Sequence, residues 1–296
     1  MKTRWIILSV LLLITNGLIA QSYTFKVLAS KGKTEIKSVD GWQNLKVGAS
    51  LSATDEVKIA ENAYLGLMHA NGKPLEIREA RSFKVSELIS RLGSGSSVLN
   101  KYTDFILSSN QEKKNRLTAT GAVHRGVKDV IIVYLPGSEK ADLYGDKIGL
   151  QWTGEEIPGP YQIIFTNLMD DNLAKFETSD NQLTVSLSEG LLKNEPVIKV
   201  KVVSKANPGQ GSKDYIIKKL RTEDREKFTK SISEFSSSLD QESALSKYIM
   251  AGFYEQNFLL NDAITAYQEA IKLAPDVPVY QEAYVDFLKR LGFEIK

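Results

Sequence analysis

Ala263-Ile264-Thr265-Ala266-Tyr267-Gln268-Glu269-Ala270-Ile271-Lys272-Leu273-Ala274-Pro275-Asp276 is the stretch that decides how the C-terminal part of this chain is built. Ala263, Tyr267 and Ala270 recur at spacings of four and three, so they share one helix face, and Pro275 ends the helix. Met250, Ala251 and Tyr254 lie just upstream. Thr222-Glu223-Asp224-Arg225 opens an earlier helix with a capping residue and acids in its first turn. Phe228, Ile232 and Phe235 follow at helical spacing, and Val279-Tyr280, Tyr284 and Leu288 provide a terminal helix. Residues 221–296 are therefore expected to be all-α.

The positions Met250, Ala251, Tyr254, Ala263, Tyr267, Ala270 and Pro275 resemble a tetratricopeptide repeat. The resemblance implies two antiparallel helices with tyrosines filling the adjoining groove. One such unit cannot bury its own faces. The missing packing must come from the 223–239 helix, from the neighbouring β domain, or from a second protein. A repeat with spare surface is a peptide-binding device, and the alternative is a helical cap that only finishes its neighbour. If the groove is used, Tyr254, Asn257 and Asn261 lie near it by spacing. They are the candidate residues for docking an envelope protein or peptide.

Upstream, the period changes to two. Val130-Ile131-Ile132-Val133-Tyr134-Leu135 reads as a buried strand, and Ile148, Leu150 and Trp152 alternate. Pro158-Gly159-Pro160 turns the chain into Tyr161-Gln162-Ile163-Ile164-Phe165. Leu183–Leu187 and Val197–Val203 continue the set, and Asp214–Lys218 adds a last strand if it pairs back after the Asn207–Ser212 loop. About seven short strands over this length fit a sandwich. A strand ending in Leu-x-Trp, then a proline-glycine turn into Tyr-x-Ile, resembles a fibronectin type III or related immunoglobulin-like domain. Residues 121–220 are assigned to it, with Trp152 as the core aromatic.

Residues 21–90 also read as short strands. Tyr23, Phe25 and Val27 alternate, Lys31-Gly32-Lys33 and Asp40-Gly41 are turns, and Asn71-Gly72 is a strong hairpin signal. The pattern Lys46-Val47-Gly48, Leu51, Asp55-Glu56-Val57, Asn62-Ala63-Tyr64-Leu65 and Asn71-Gly72-Lys73-Pro74-Leu75-Glu76-Ile77 resembles the ligand-sensing module of FecR-type proteins. The sigma-factor-binding segment and membrane helix of classical regulators find no match in this sequence, so only the binding module is carried over. Between the two β domains, residues 91–120 are expected to hold a connecting helix and linker, with Val98, Leu99, Tyr102, Phe105 and Ile106 on its apolar face.

At the N-terminus, Lys2 and Arg4 precede the apolar run Trp5–Ile14, and Leu18-Ile19-Ala20 ends in a small residue. That order predicts a signal peptide over 1–20, cleaved after Ala20. The run is shorter than the roughly 20 residues that span a bilayer, so no stable membrane insertion is expected after cleavage. With Lys2 and Arg4 removed from 38 basic residues, the 36 acidic ones are balanced. A neutral chain without a clustered basic face argues against nucleic acid. There is no cysteine, which excludes disulfides, thiol chemistry and a lipid-anchored cysteine.

Nothing in the sequence assembles a catalytic or metal-ligating set. His69 and His124 each stand alone, and Glu155-Glu156 and Asp170-Asp171 read as loop acids. No phosphate-binding glycine loop or Gly-x-Ser-x-Gly elbow occurs. Catalytic, cofactor-binding and metal residues are therefore set at none. The sequence reads as a multi-domain, exported, non-enzymatic binding or scaffold protein in the periplasm or envelope of a Gram-negative bacterium. The β modules would bind an envelope ligand, a polysaccharide or small molecule among the candidates, and the helical tail would dock a partner protein. The alternative is a sensor or regulator of envelope signalling or transport related to FecR-type proteins.

Overall fold

The computed structural model describes residues 23–92, 103, 106–107, 131–153, 157–236, 239–240 and 242–295. The signal-type N-terminus, most of the 91–120 segment, His124 and Glu155-Glu156 lie outside the described residues. Of the expected connecting helix, Thr103, Ile106 and Leu107 are helical and buried.

The first β unit holds two four-stranded antiparallel sheets. One runs in the order β4 (Ser50–Leu51), β1 (Phe25–Lys31), β6 (Tyr64–His69), β7 (Pro74–Ile77). The other runs β3 (Gly41–Asn44), β2 (Thr34–Ser38), β5 (Glu56–Ile59), β8 (Ser82–Lys84), and leads into the short helix α1 (Val85–Ile89). The Lys31-Gly32-Lys33 turn thus carries the chain from one sheet to the other. Between β6 and β7, Asn71 Oδ1 accepts from the Lys73 N–H and Gly72 adopts φ +84°, which glycine tolerates without a Cβ clash. Phe25, Val27, Leu65, Leu67, Val57, Ile59 and Phe83 close the core between the sheets. A register shift between Val27 and Ala29 turns Leu28 and Ala29 to the opposite side, where with Tyr64 and Met68 they join a second, larger core. The β1–β6 pair is therefore buried on both faces, which is why 64–68 reads as a continuous apolar run.

The middle of the chain forms two facing sheets. β10 (Lys147–Gln151) pairs with β13 (Gln182–Ser186), and Trp152 bridges to Val133. The opposing sheet has the order β12 (Asn172–Thr178), β11 (Tyr161–Thr166), β14 (Val197–Ser204), β15 (Tyr215–Lys219), β9 (Asp142–Leu143), with β15 and β9 parallel. Trp152 is buried and meets Tyr161 edge-on at 5.3 Å in the core. The expected strand over 130–135 is reduced to that single bridge at Val133. Ile131, Val133 and Leu135 alternate inward, but the Val133 N–H is taken by the Tyr215 hydroxyl at 3.2 Å.

Four helices follow: α2 (Thr222–Ser236), α3 (Ala244–Gln256), α4 (Leu260–Leu273) and α5 (Pro278–Arg290). Ser243 caps α3 by accepting from the Ser246 N–H at 3.0 Å, and Pro278 starts α5 where no intrahelical donor is needed. The α3–α4 hairpin packs through Ala251, Ala263 and Ala270, all fully buried. Tyr248, Tyr267, Tyr280 and Tyr284 fill the space towards α5. The chain is thus β-rich in its N-terminal and middle parts and helical at its C-terminal end.

The helices do not trail behind the β units. From the first unit, Glu76 Oε1 accepts from the Ser243 hydroxyl at 2.7 Å and the Leu245 N–H at 2.6 Å, extending the α3 cap. Tyr64 and Tyr280 share a buried hydroxyl–hydroxyl bond of 2.6 Å, and Lys31 meets Asp276 at 2.8 Å. On the sandwich side, the Gly149 N–H donates to Thr265 Oγ1 at 2.9 Å. A Cβ on Gly149 would lie 2.1 Å from Gln268 Oε1, which would have to swing away, and 3.3 Å from the Thr265 Cα, a tight backbone contact that larger side chains would worsen. Gly149→Val is expected to lower unfolding stability by about 2–3 kcal/mol. Gly209→Val, where a Cβ meets nothing within 4 Å, should cost under about 0.5 kcal/mol. Urea unfolding of both variants checks this, and equal losses would refute the close approach.

Candidate functional site

The residues expected to line a docking groove do not lie together on an open surface. Asn261 is fully buried, and its Nδ2 donates to the carbonyl oxygens of Ala141 at 2.8 Å and Asp142 at 3.2 Å. Tyr254 is half-buried, with its ring stacked on Phe228 at 6.3 Å and tilted against Tyr144 at 6.5 Å. Asn257 is exposed and caps the end of α3 through the Phe253 carbonyl at 2.8 Å. Asn261 thus faces the edge of the middle β unit. The physical reason is that β9, the turn after it and β10 offer backbone groups at the sandwich edge, and α4 supplies polar side chains that match them. Spacing placed the residue on the right helix face but could not say what covers that face.

Asp262 is the most unusual group at this junction. It is buried, yet its two carboxylate oxygens accept from the Tyr144 N–H at 2.8 Å and the Gly145 N–H at 2.6 Å. Burial pushes its pKa up from 3.8 to about 6, outweighing the two backbone donors and the more distant Arg225 guanidinium, which itself pairs with Asp146 at 2.9 Å. Burial, with a smaller contribution from the Asp262 charge, also raises the Tyr254 hydroxyl. Nearby, the Lys219 ammonium donates to the carbonyls of Leu187, Leu192 and Lys193 at 3.1, 2.5 and 3.0 Å, and burial lowers its pKa. These contacts are fastenings between elements.

The folded chain holds the Asp262 proton more tightly than the unfolded chain does. Its stabilising contribution is therefore fully present below about pH 4 and is lost as pH rises through about 6. Asp262→Asn does not titrate. Between pH 4 and pH 7 the stability difference should move in favour of the variant by on the order of 2 kcal/mol. Urea unfolding at the two pH values measures it; a pH-independent difference would show that the carboxylate is charged throughout.

Other sequence candidates are locally satisfied. His69 accepts from the Asn71 N–H at 3.1 Å and meets Phe25 edge-on at 4.9 Å. Asn167 Oδ1 accepts from the N–H groups of Met169 and Asp171, and Asp170 pairs with Lys199. Among the described residues no group of three His, Cys, Asp or Glu side chains is placed to hold a metal. No described helix is long and apolar enough to cross a membrane.

Exposed apolar side chains instead mark the β units. Leu168, Met169 and Leu191 project from loops of the sandwich, and Val39 and Trp42 from the β2–β3 hairpin. Phe258 projects from the α3–α4 turn with φ +57°. Trp42 sits on the edge strand β3, every residue of which is exposed. Register sets Trp42 opposite Lys37, and Asn44 opposite Glu35. It sets Glu35 opposite Lys58, and Glu56 opposite Lys84. These residues form the outer face of the sheet, since Ile36, Val57 and Phe83 pack on its inner side. The Lys37 and Lys58 ammonium groups lie 5.9 and 5.7 Å from the indole centroid, and Lys37 also pairs with Glu56 at 2.9 Å. The indole follows directly on the Asp40-Gly41 turn and carries no role in the sequence reading. The signal available was a large aromatic alternating with polar residues on a strand too short to be central.

No family model matches the chain, and no curated protein matches it. Among solved structures, a β-1,2-glucanase from Parabacteroides distasonis aligns at 12% identity with a TM-score of 0.24, over 84% of this chain and 48% of that enzyme. The chain spans about half the length of that enzyme, and a likeness this small carries no argument about its fold or activity.

Proposed function

We propose that this chain is an exported, non-enzymatic binding protein of the Gram-negative cell envelope. Its β units meet the ligand, and its C-terminal helices hold those units in a fixed relation. The observation that carries the reading is the burial of most of α3 and of the first half of α4 within the chain. Helix faces already covered by the chain's own β units leave no groove between α3 and α4 for a partner. The contact surface is therefore placed on the β units, and the exposed Phe258 at the α3–α4 turn serves as the control position on the helices.

The finer domain readings gain support of different strength. The parallel β9–β15 pair, the β12-β11-β14-β15-β9 order and Trp152 packed on Tyr161 favour an immunoglobulin-like sandwich over 121–220. Alanines at the α3–α4 contact favour a tetratricopeptide-like hairpin over 221–296. The Asn71-Gly72 hairpin and the two packed sheets are compatible with a FecR-like module over 21–90.

Photo-crosslinking side chains placed singly at Val39, Met169 and Phe258 in the full chain, irradiated in intact cells, test the proposal. All three positions are widely exposed. Adducts are expected from Val39 or Met169 and not from Phe258. Adducts from Phe258 alone would restore the helical tail as the docking element, and adducts from none would overturn the binding reading.

A further inference from the structure

We infer that the outer face of the β3-β2-β5-β8 sheet binds an anionic polysaccharide, with Trp42 as the stacking platform and Lys58 and Lys84 as the carboxylate-pairing cations. This rests on the binding reading above and names the ligand class for one of its β surfaces.

Three features of the face converge on that ligand. The first is the indole. Trp42 belongs to an edge strand, yet the ammonium of Lys58, two strands away, lies within 5.7 Å of its centroid. The ring thus reaches inward across the polar face, and the residue remains 37% exposed. A partly exposed flat aromatic matches the apolar C–H face of a sugar ring, as it would any other flat, weakly polar surface.

The second is charge. Lys33 is neutralised by Glu35 at 3.4 Å and Lys37 by Glu56 at 2.9 Å. Among the described residues Lys58 and Lys84 have no acidic partner, and both are exposed. The face therefore carries a net positive charge on a chain whose overall charge is only +2. A carboxylate on the ligand complements it at modest desolvation cost, since these ammonium groups keep their water until contact.

The third is extent. From β3 to β8 the sheet is four strands wide, so Trp42 and Lys84 stand about 14 Å apart across it. That distance exceeds a single sugar and suits a run of several in a chain. The unpaired outer edge of β3 lets such a chain continue past Trp42. The side chains of an acidic peptide would match the cations too, but an Asp or Glu carries no ring face to lay on the indole.

The test uses the full chain with three soluble polymers: polygalacturonate, dextran, and poly-L-glutamate. They separate an anionic sugar from a neutral sugar and from an anion without sugar. Polygalacturonate should bind at least about tenfold more tightly than either of the others. Trp42→Ala and the double variant Lys58→Gln/Lys84→Gln should each weaken it roughly tenfold, whereas Trp42→Phe should retain most of the affinity. Leu168→Ser, on the sandwich, should leave it unchanged. Equal binding of dextran removes the cations from the argument, and equal binding of poly-L-glutamate makes the face a plain anion or acidic-peptide surface. Retention of affinity by Trp42→Ala overturns the stacking platform. If no polymer binds while crosslinks still form at Val39 or Met169 in cells, the glycan assignment fails and the binding reading survives. If crosslinks are absent as well, both fail.

Discussion

The seating of α4 on the sandwich edge is the constraint on which the rest of the arrangement depends. Three polar side chains in its first two turns, Asn261, Asp262 and Thr265, are buried there and bond to backbone groups of residues 141–149. Buried N–H groups left without acceptors would cost about 1–3 kcal/mol each. The helix therefore completes the sandwich instead of merely lying against it. A buried carboxylate at that seat is tolerable because two N–H donors converge on it, and its raised pKa records the remaining cost of burial.

Once α4 is seated, α3 is trapped between it and the first β unit. Glu76 supplies the outer part of the α3 cap, and Tyr64 passes its hydroxyl bond to Tyr280 on α5. The larger core therefore runs without interruption from Leu28 in the first unit, through Trp152, to Leu288 in the last helix. The same helices serve two masters, which explains why so little of their surface is left for anything else. Aromatic residues dominate this join because they bury much area while their hydroxyl groups find partners across it.

The elements legible in the sequence were those with one clear period. The Asn71-Gly72 hairpin, the alternation at Tyr161–Phe165 and Val197–Val203, and the alanine spacing of the helical pair all correspond to elements found there. β12 was missed because it is an edge strand half exposed on both sides, so Leu173, Lys175 and Glu177 show no apolar alternation. β9 has two residues, too few for any period. Asn261 and Trp42 illustrate a different limit. Periodicity reports which residues share a face, whereas the burial of Asn261 depends on a sandwich more than a hundred positions upstream. The exposure of Trp42 likewise depends on β3 being an edge, a fact of strand order and not of local sequence.

The Tyr64–Tyr280 bond joins residues 216 positions apart, and the Lys31–Asp276 pair spans 245. Contacts of such separation close late, since a long loop must be drawn in before any of them forms. A ribosome completes the first β unit well before it delivers the helices that cover Leu28, Tyr64 and Met68. Throughout that interval the nascent chain carries an apolar patch that the later helices help to cover. The fold thus postpones its own maturation until α5 is made, and a chain interrupted before that helix would be left adhesive and a target for chaperones and proteases.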